Sequence, residues 1–203
     1  MANNFRTGLS RRLFVSTGLA AAAAFGALPA QALTAGEAEA LIGKVVGDIN
    51  TIINSGRSEG QMYAEFEKLF ARYADVPTVA ISVLGPAART ASNEQKQAFI
   101  RAYQRYVSHK YGRRFREMIG ADIKVTGVRP IKNYFEVTSI AYLKGEQPFE
   151  VRWDVSDRGG RQLFFNIIIE GVNMLASERT EIGAMLDRRG GSIDRLTADM
   201  MNM

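Results

Sequence analysis

Few residues in this chain could do chemistry. It has one histidine, His109, and no cysteine. Thiol catalysis, thiolate metal sites and disulfides are therefore excluded. A Ser-His-Asp or His-His-Glu constellation would have to be built on His109, and nothing around it has ligand or triad spacing. His109 lies in a run with Arg101, Arg105, Arg113 and Arg116 that reads as a basic, solvated helix face. No GxGxxG or GxxxxGK[ST] occurs, and Gly159-Gly160 and Gly190-Gly191 read as turn glycines, so no cofactor is implied. Carboxylate pairs are the remaining option for acid–base work: Asp154 with Asp157, or Glu136 with Glu150. A small isomerase or hydratase of this kind needs an Asp or Glu aimed into an apolar pocket with a raised pKa. The simpler expectation is that these are solvated strand and turn acids.

The clearest signal is at the start. Ser10-Arg11-Arg12-Leu13-Phe14 sets two arginines before an alanine-rich apolar run that ends at Ala30-Gln31-Ala32. Basic region, short apolar region and small-x-small site together make a secretory leader. The arginine pair reads more narrowly as the twin-arginine type, with the standard secretory route as the alternative. The run is too short and too rich in small residues for a membrane span. Cleavage after Ala32 leaves residues 33–203 as one domain, enough to bury a core. The whole chain carries a net charge of +5; the leader holds Arg6, Arg11 and Arg12 and no acid, so the mature charge is 5 − 3 = +2. That charge and export argue against nucleic acid as a partner.

The elements that must position any site follow from periodicity. Ala38, Leu41, Ile42, Val45, Val46, Ile49, Ile52 and Ile53 recur at helical spacing, with Thr34 and Glu37 as a capping box. A second helix is expected from Gly60 to Tyr73 and a short one from Val79 to Leu84. Ser92 to about Ile119 reads as the longest helix, with Phe99, Tyr103, Val107, Tyr111 and Phe115 spaced by four. After Gly120 the period becomes two. Strands are expected around Ile123–Val125, over Tyr134–Leu143, over Phe149–Val155 and over Leu163–Ile169, the last apolar on both faces and so placed centrally. Asp157-Arg158-Gly159-Gly160 is a hairpin turn. Helices close the chain at Leu175–Arg188 and Ser192–Met201. Helices, then an antiparallel meander, then helices make an α+β fold. The sheet and the helices both offer many large apolar side chains. These serve a filled core, as in a purely structural protein, or a cavity for an apolar ligand.

Two stretches carry a family resemblance. Phe70-x-x-Tyr73-Ala74-Asp75-Val76-Pro77, Val83-Leu84-Gly85, Arg89 and Ser92-x-x-Gln95-x-x-x-Phe99 form the first. Ile167-Ile168-Ile169-Glu170-Gly171-Val172-Asn173-Met174 with Arg179 form the second. Their order resembles the MlaC family of toluene-tolerance-type periplasmic phospholipid-binding proteins. The chain departs from that pattern at Ala87-Ala88, at Gln162 to Asn166 and at Asn173. The resemblance implies a curved antiparallel four-stranded sheet, NTF2- or cystatin-like, wrapped by helices, with acyl chains between sheet and helices. It implies a periplasmic carrier exchanging phospholipid between an outer-membrane lipoprotein complex and an inner-membrane ABC transporter complex. A pocket near the upper end of usual ligand cavities, about 1,000 Å³, is expected. Lining residues are expected from the long helix at Phe99, Tyr103, Val107 and Tyr111, and from the sheet at Val137, Val151, Trp153, Ile167 and Ile169. A one-residue slip in register would exchange the sheet faces. Arg101, Arg105 or Arg113 could meet the head group or an acidic docking surface.

Overall fold

The computed structural model describes residues 33–112 and 117–203. The expected export signal, residues 1–32, and Arg113, Phe115 and Arg116 of the long helix lie outside the described residues. Helix α1 (Ala35–Ile53) starts where its signals are: Thr34 Oγ1 accepts from the Glu37 N–H, and the Glu37 side chain accepts from the Thr34 N–H. Helix α2 (Glu59–Tyr73) runs into α3 (Val76–Leu84), which Asp75 caps by accepting from the Thr78 N–H. A 3-10 turn over Gly85–Arg89 leads to α4 (Asn93–Gly112). Residues 117–120 form a turn, so the expected extension of α4 to Ile119 is not helical there.

Five strands follow: β1 (Asp122–Ile131), β2 (Tyr134–Tyr142), β3 (Phe149–Ser156), β4 (Leu163–Ile169) and β5 (Val172–Asn173). They form one open antiparallel sheet in sequence order, rather than the four strands expected. The additional strand is two residues long. Glu170 and Gly171 both take positive φ, 49° and 80°, which closes a two-residue hairpin and pairs Val172 with Ile169. The strand β4 is next to last, not central. Its two apolar faces have another cause: Phe164 joins the core beneath the sheet, while Asn166 on the other face accepts from the Leu175 N–H at the start of α5. Helices α5 (Met174–Asp187) and α6 (Ile193–Met201) complete the fold. Among the described residues no helix is long and apolar enough to cross a membrane.

The apolar interior forms two clusters. One joins α1 and α2 to the inner face of the sheet through Ile42, Val45, Phe66, Val137, Trp153 and Val155. The other is helical, built from α3, α4, α5 and α6 around Val83, Phe99, Tyr103, Ile182, Leu196 and Met200. The helical body is tied to the sheet where the Asp75 N–H donates to the Phe164 carbonyl at 2.8 Å.

The outer face of the sheet carries ions. Arg129 and Arg152 pair with Glu136 at 2.6 and 3.2 Å. Beside it, buried Asp154 accepts from Asn166 Nδ2 at 2.9 Å, and its Oδ1 has no hydrogen-bond partner among the described residues. Burial pushes the Asp154 carboxyl above its ordinary range, against a lowering pull from Asn166, and Glu136 adds to the rise. A raised folded-state pKa means that stability present below the unfolded pKa is lost as pH rises through the folded one. Asp154→Asn keeps an acceptor for Asn166 and removes the buried charge. It should raise Tm at neutral pH by about 2–4 °C, the shift expected for roughly 1 kcal/mol in a domain of this size. The gain should vanish below the ordinary carboxylate range, which thermal melts at both pH values would check.

Candidate functional site

Between the two apolar clusters lies a cavity of about 400 Å³ that opens to solvent. It is smaller than the expected 1,000 Å³. The sheet contributes Ile123, Ala141, Val151, Trp153, Phe164, Ile167 and Ile169 to its wall. The helices contribute Phe66 and Phe70 from α2, Tyr103, Val107 and Tyr111 from α4, and Met174, Leu175 and Glu178 from α5. The alternation of β3 decides which side chains face inward: Val151 and Trp153 line the wall, and Asp154 turns to the other face. Ile167 and Ile169 follow from their register opposite Trp153 and Val151.

Trp153 is the only tryptophan in the chain. Its indole N–H donates to Ser139 Oγ at 2.9 Å, and Ser139 donates in turn to the Val151 carbonyl at 3.1 Å. Its ring meets Phe164 edge-on at 5.4 Å between centroids. The hydroxyl of Ser139 is fully buried, so this chain of bonds fixes the largest residue of the wall without exposing a polar atom to the cavity.

Seven of the nine expected lining positions are on the wall: Tyr103, Val107, Tyr111, Val151, Trp153, Ile167 and Ile169. Phe99 and Val137 are not. Residues four apart advance about 40° around a helix, so Phe99 and Tyr111 point in different directions. Phe99 stacks on Tyr103 at 6.0 Å inside the helical cluster. Val137 is fully buried in the cluster beneath α1, which packs over β1 and β2 and fills that part of the inner face. Arg101 and Arg105 are exposed, and neither lines the cavity. Arg113 lies outside the described residues. Glu136 and Asp154, the carboxylates an enzyme on this sheet would need in its pocket, do not line the cavity either.

Sequence reasoning missed the polar edge of the site. The cavity shares Tyr111, Ile169, Glu170, Met174 and Glu178 with an adjoining recess of about 840 Å³. Lys110 donates to Glu178 Oε1 at 2.7 Å and also pairs with Glu181. Tyr111 Oη donates to the same Glu178 oxygen, and Tyr106 Oη donates to Glu181 at 2.6 Å. Burial pulls the Lys110 ammonium down, but Glu178 and Glu181 outweigh it and hold it above its usual range. Burial pushes the Tyr111 and Tyr103 phenols up, and the Glu178 carboxylate adds to both. All three therefore keep their protons at neutral pH. A signal for Glu178 existed: it occupies an apolar stripe position between Leu175 and Ile182 on α5.

The family model described as MlaC protein matches residues 43–202, and the chain belongs to that family. Among solved structures, the fold is similar to that of a phospholipid-binding protein from Ralstonia solanacearum determined in complex with a phospholipid. The TM-score is 0.68 at 16% sequence identity, over 80% of this chain and 98% of the other.

Ser139→Ala would leave the Trp153 N–H buried without an acceptor, a loss of about 1–3 kcal/mol. At roughly 2–4 °C per kcal/mol, Tm should fall by several degrees in a thermal melt. An unchanged Tm would mean that Ser139 does not hold the indole.

Proposed function

We propose that this chain is a periplasmic phospholipid carrier that holds acyl chains in the cavity between its sheet and its helices. The reading rests on one observation: an apolar cavity separates two cores in a chain of the MlaC family. The phospholipid in the complex of the structurally similar Ralstonia solanacearum protein supports it.

The physical need is simple. Each buried methylene contributes about 0.8 kcal/mol, so two acyl chains of roughly 30 methylenes face on the order of 20 kcal/mol on entering water. Free passage across an aqueous gap is negligible at that barrier. A protein removes it by offering a second apolar phase, which takes Trp153, Val107 and Ile167 rather than a catalytic group. The cavity alone is small for two chains, and a recess of about 840 Å³ adjoins it at five shared lining residues. On this reading the chain exchanges lipid between an outer-membrane lipoprotein complex and an inner-membrane ABC transporter complex, and catalyses no reaction. The leader-like segment at residues 1–32 supports a periplasmic location.

Native mass spectrometry of the protein purified from a periplasmic extract is expected to show one bound diacyl phospholipid. Protein that carries no lipid there, and takes none from vesicles, contradicts the proposal. Stripping the lipid should lower Tm, since a ligand bound only to the folded state stabilises it. Val107→Phe, which adds volume at the cavity wall, should displace most of the bound lipid, as the same mass spectrometry would show.

A further inference from the structure

The backbone nitrogen of Leu33 donates to Asp157 Oδ2 at 2.9 Å, a contact between residues 124 apart in sequence. Asp157 begins the turn between β3 and β4, where its own carbonyl accepts from the Gly160 N–H at 2.8 Å. The Leu33 side chain packs, partly buried, against the sheet-side cluster. The start of α1 is therefore tied to the hairpin whose strands carry Trp153 and Ile167 to the cavity wall. Leu33 is also the residue that follows Ala30-Gln31-Ala32, the small-x-small end of the leader-like segment.

Cleavage at that site changes the chemistry of this one nitrogen. An amide N–H is neutral and offers a single donor. A free α-amine, protonated below about pH 7.7–8.0, offers three donors and a positive charge. It would stand one residue before Thr34, the cap of α1, where the positive end of the helix dipole disfavours a cation. A carboxylate in direct contact offsets that repulsion. Glu37 of α1 is a second carboxylate close by, accepting from the Thr34 N–H and hydroxyl at 2.8 and 2.7 Å. The cations of the hairpin are Arg158 and Arg161; both are exposed, and Arg161 donates to the Arg72 carbonyl of α2 at 3.3 Å.

We propose that processing after Ala32 makes the Leu33 nitrogen the mature α-ammonium and that Asp157 is its receptor, an ion pair that pins the start of α1 to the β3–β4 hairpin. This rests on the export reading of residues 1–32 and is independent of any ligand. No rearrangement is needed, because the nitrogen already lies at hydrogen-bond distance from the oxygen. An ion pair replaces a bond in which only the acceptor is charged. Ile49 of α1 lines the cavity, as do Trp153 and Ile167 of the strands that flank the hairpin, so the pair joins two parts of that wall.

The test has two steps. The full chain is exported with its leader, purified from the periplasmic extract, and its N-terminal peptide identified by mass spectrometry; Leu33 should be the first residue. Acetylation of the α-amine, followed across about pH 6–10, then gives its pKa, since only the unprotonated amine reacts. In the wild-type protein it should titrate above the ordinary range of roughly 7.7–8.0, leaving about threefold less free amine at neutral pH than in Asp157→Asn. That variant keeps a neutral acceptor for the amine. A first residue other than Leu33 overturns the proposal. So does a wild-type amine that titrates within or below the ordinary range, a result that needs no variant to fold. Equal titration in the wild-type protein and Asp157→Asn removes Asp157 as the receptor and overturns it too. None of these outcomes touches the carrier reading, which stands or falls on bound lipid.

Discussion

Everything in this fold turns on an apolar space that its own side chains do not fill. An open apolar cavity of about 400 Å³ leaves its lining side chains without the packing partners a filled core would give them. Its walls would close on each other unless they were held apart. Here they belong to separate clusters, one anchored on the sheet and α1, the other on α4, α5 and α6. Each is packed on its own terms. Fully buried Ile42, Val45 and Val137 complete the first, and Phe99, Ile182, Leu196 and Met200 the second. The cavity is the region that neither cluster can reach.

Polar interactions keep the walls in place. Ser139 holds Trp153 from within the sheet. The Asp75 N–H joins the α2–α3 corner to β4. At the end of α4, a side chain on Gly112 would come within 2.6 Å of the Tyr63 ring, so glycine there allows α2 and α4 to close. On the opposite side, Lys110, Tyr106 and Tyr111 of α4 reach across to Glu178 and Glu181 of α5. These last contacts form a polar edge where the cavity meets the recess. That division suits a site for a molecule with greasy tails and a charged head.

Much of this was legible in the sequence wherever local chemistry decides the outcome. Thr34 with Glu37 marked the start of α1, and the alternation of Phe149 to Val155 marked a one-sided strand. Trp153, Val151, Ile167 and Ile169 could be assigned to one face because period two leaves only the register open. Tertiary packing decided the rest. Phe99 and Tyr103 look equivalent in a four-residue repeat, and only the placement of α6 and α3 puts the first in the core and the second on the wall. Val137 has the right face but lies under α1. The brief strand β5 depends on pairing across the Glu170-Gly171 turn, which short-range pattern does not reveal. The polar edge has no local signature, since in sequence Lys110 is one of several basic residues on α4. Its importance comes from carboxylates 68 and 71 residues away.

The single tryptophan offers the most direct view of the central claim, because it lies on the cavity wall and no other indole can mask it. Loading the stripped protein with phospholipid brominated along its acyl chains should strongly quench Trp153 fluorescence relative to the same lipid without bromine. Equal fluorescence in the two loaded samples, at one lipid per chain, would place the tails elsewhere and contradict the account.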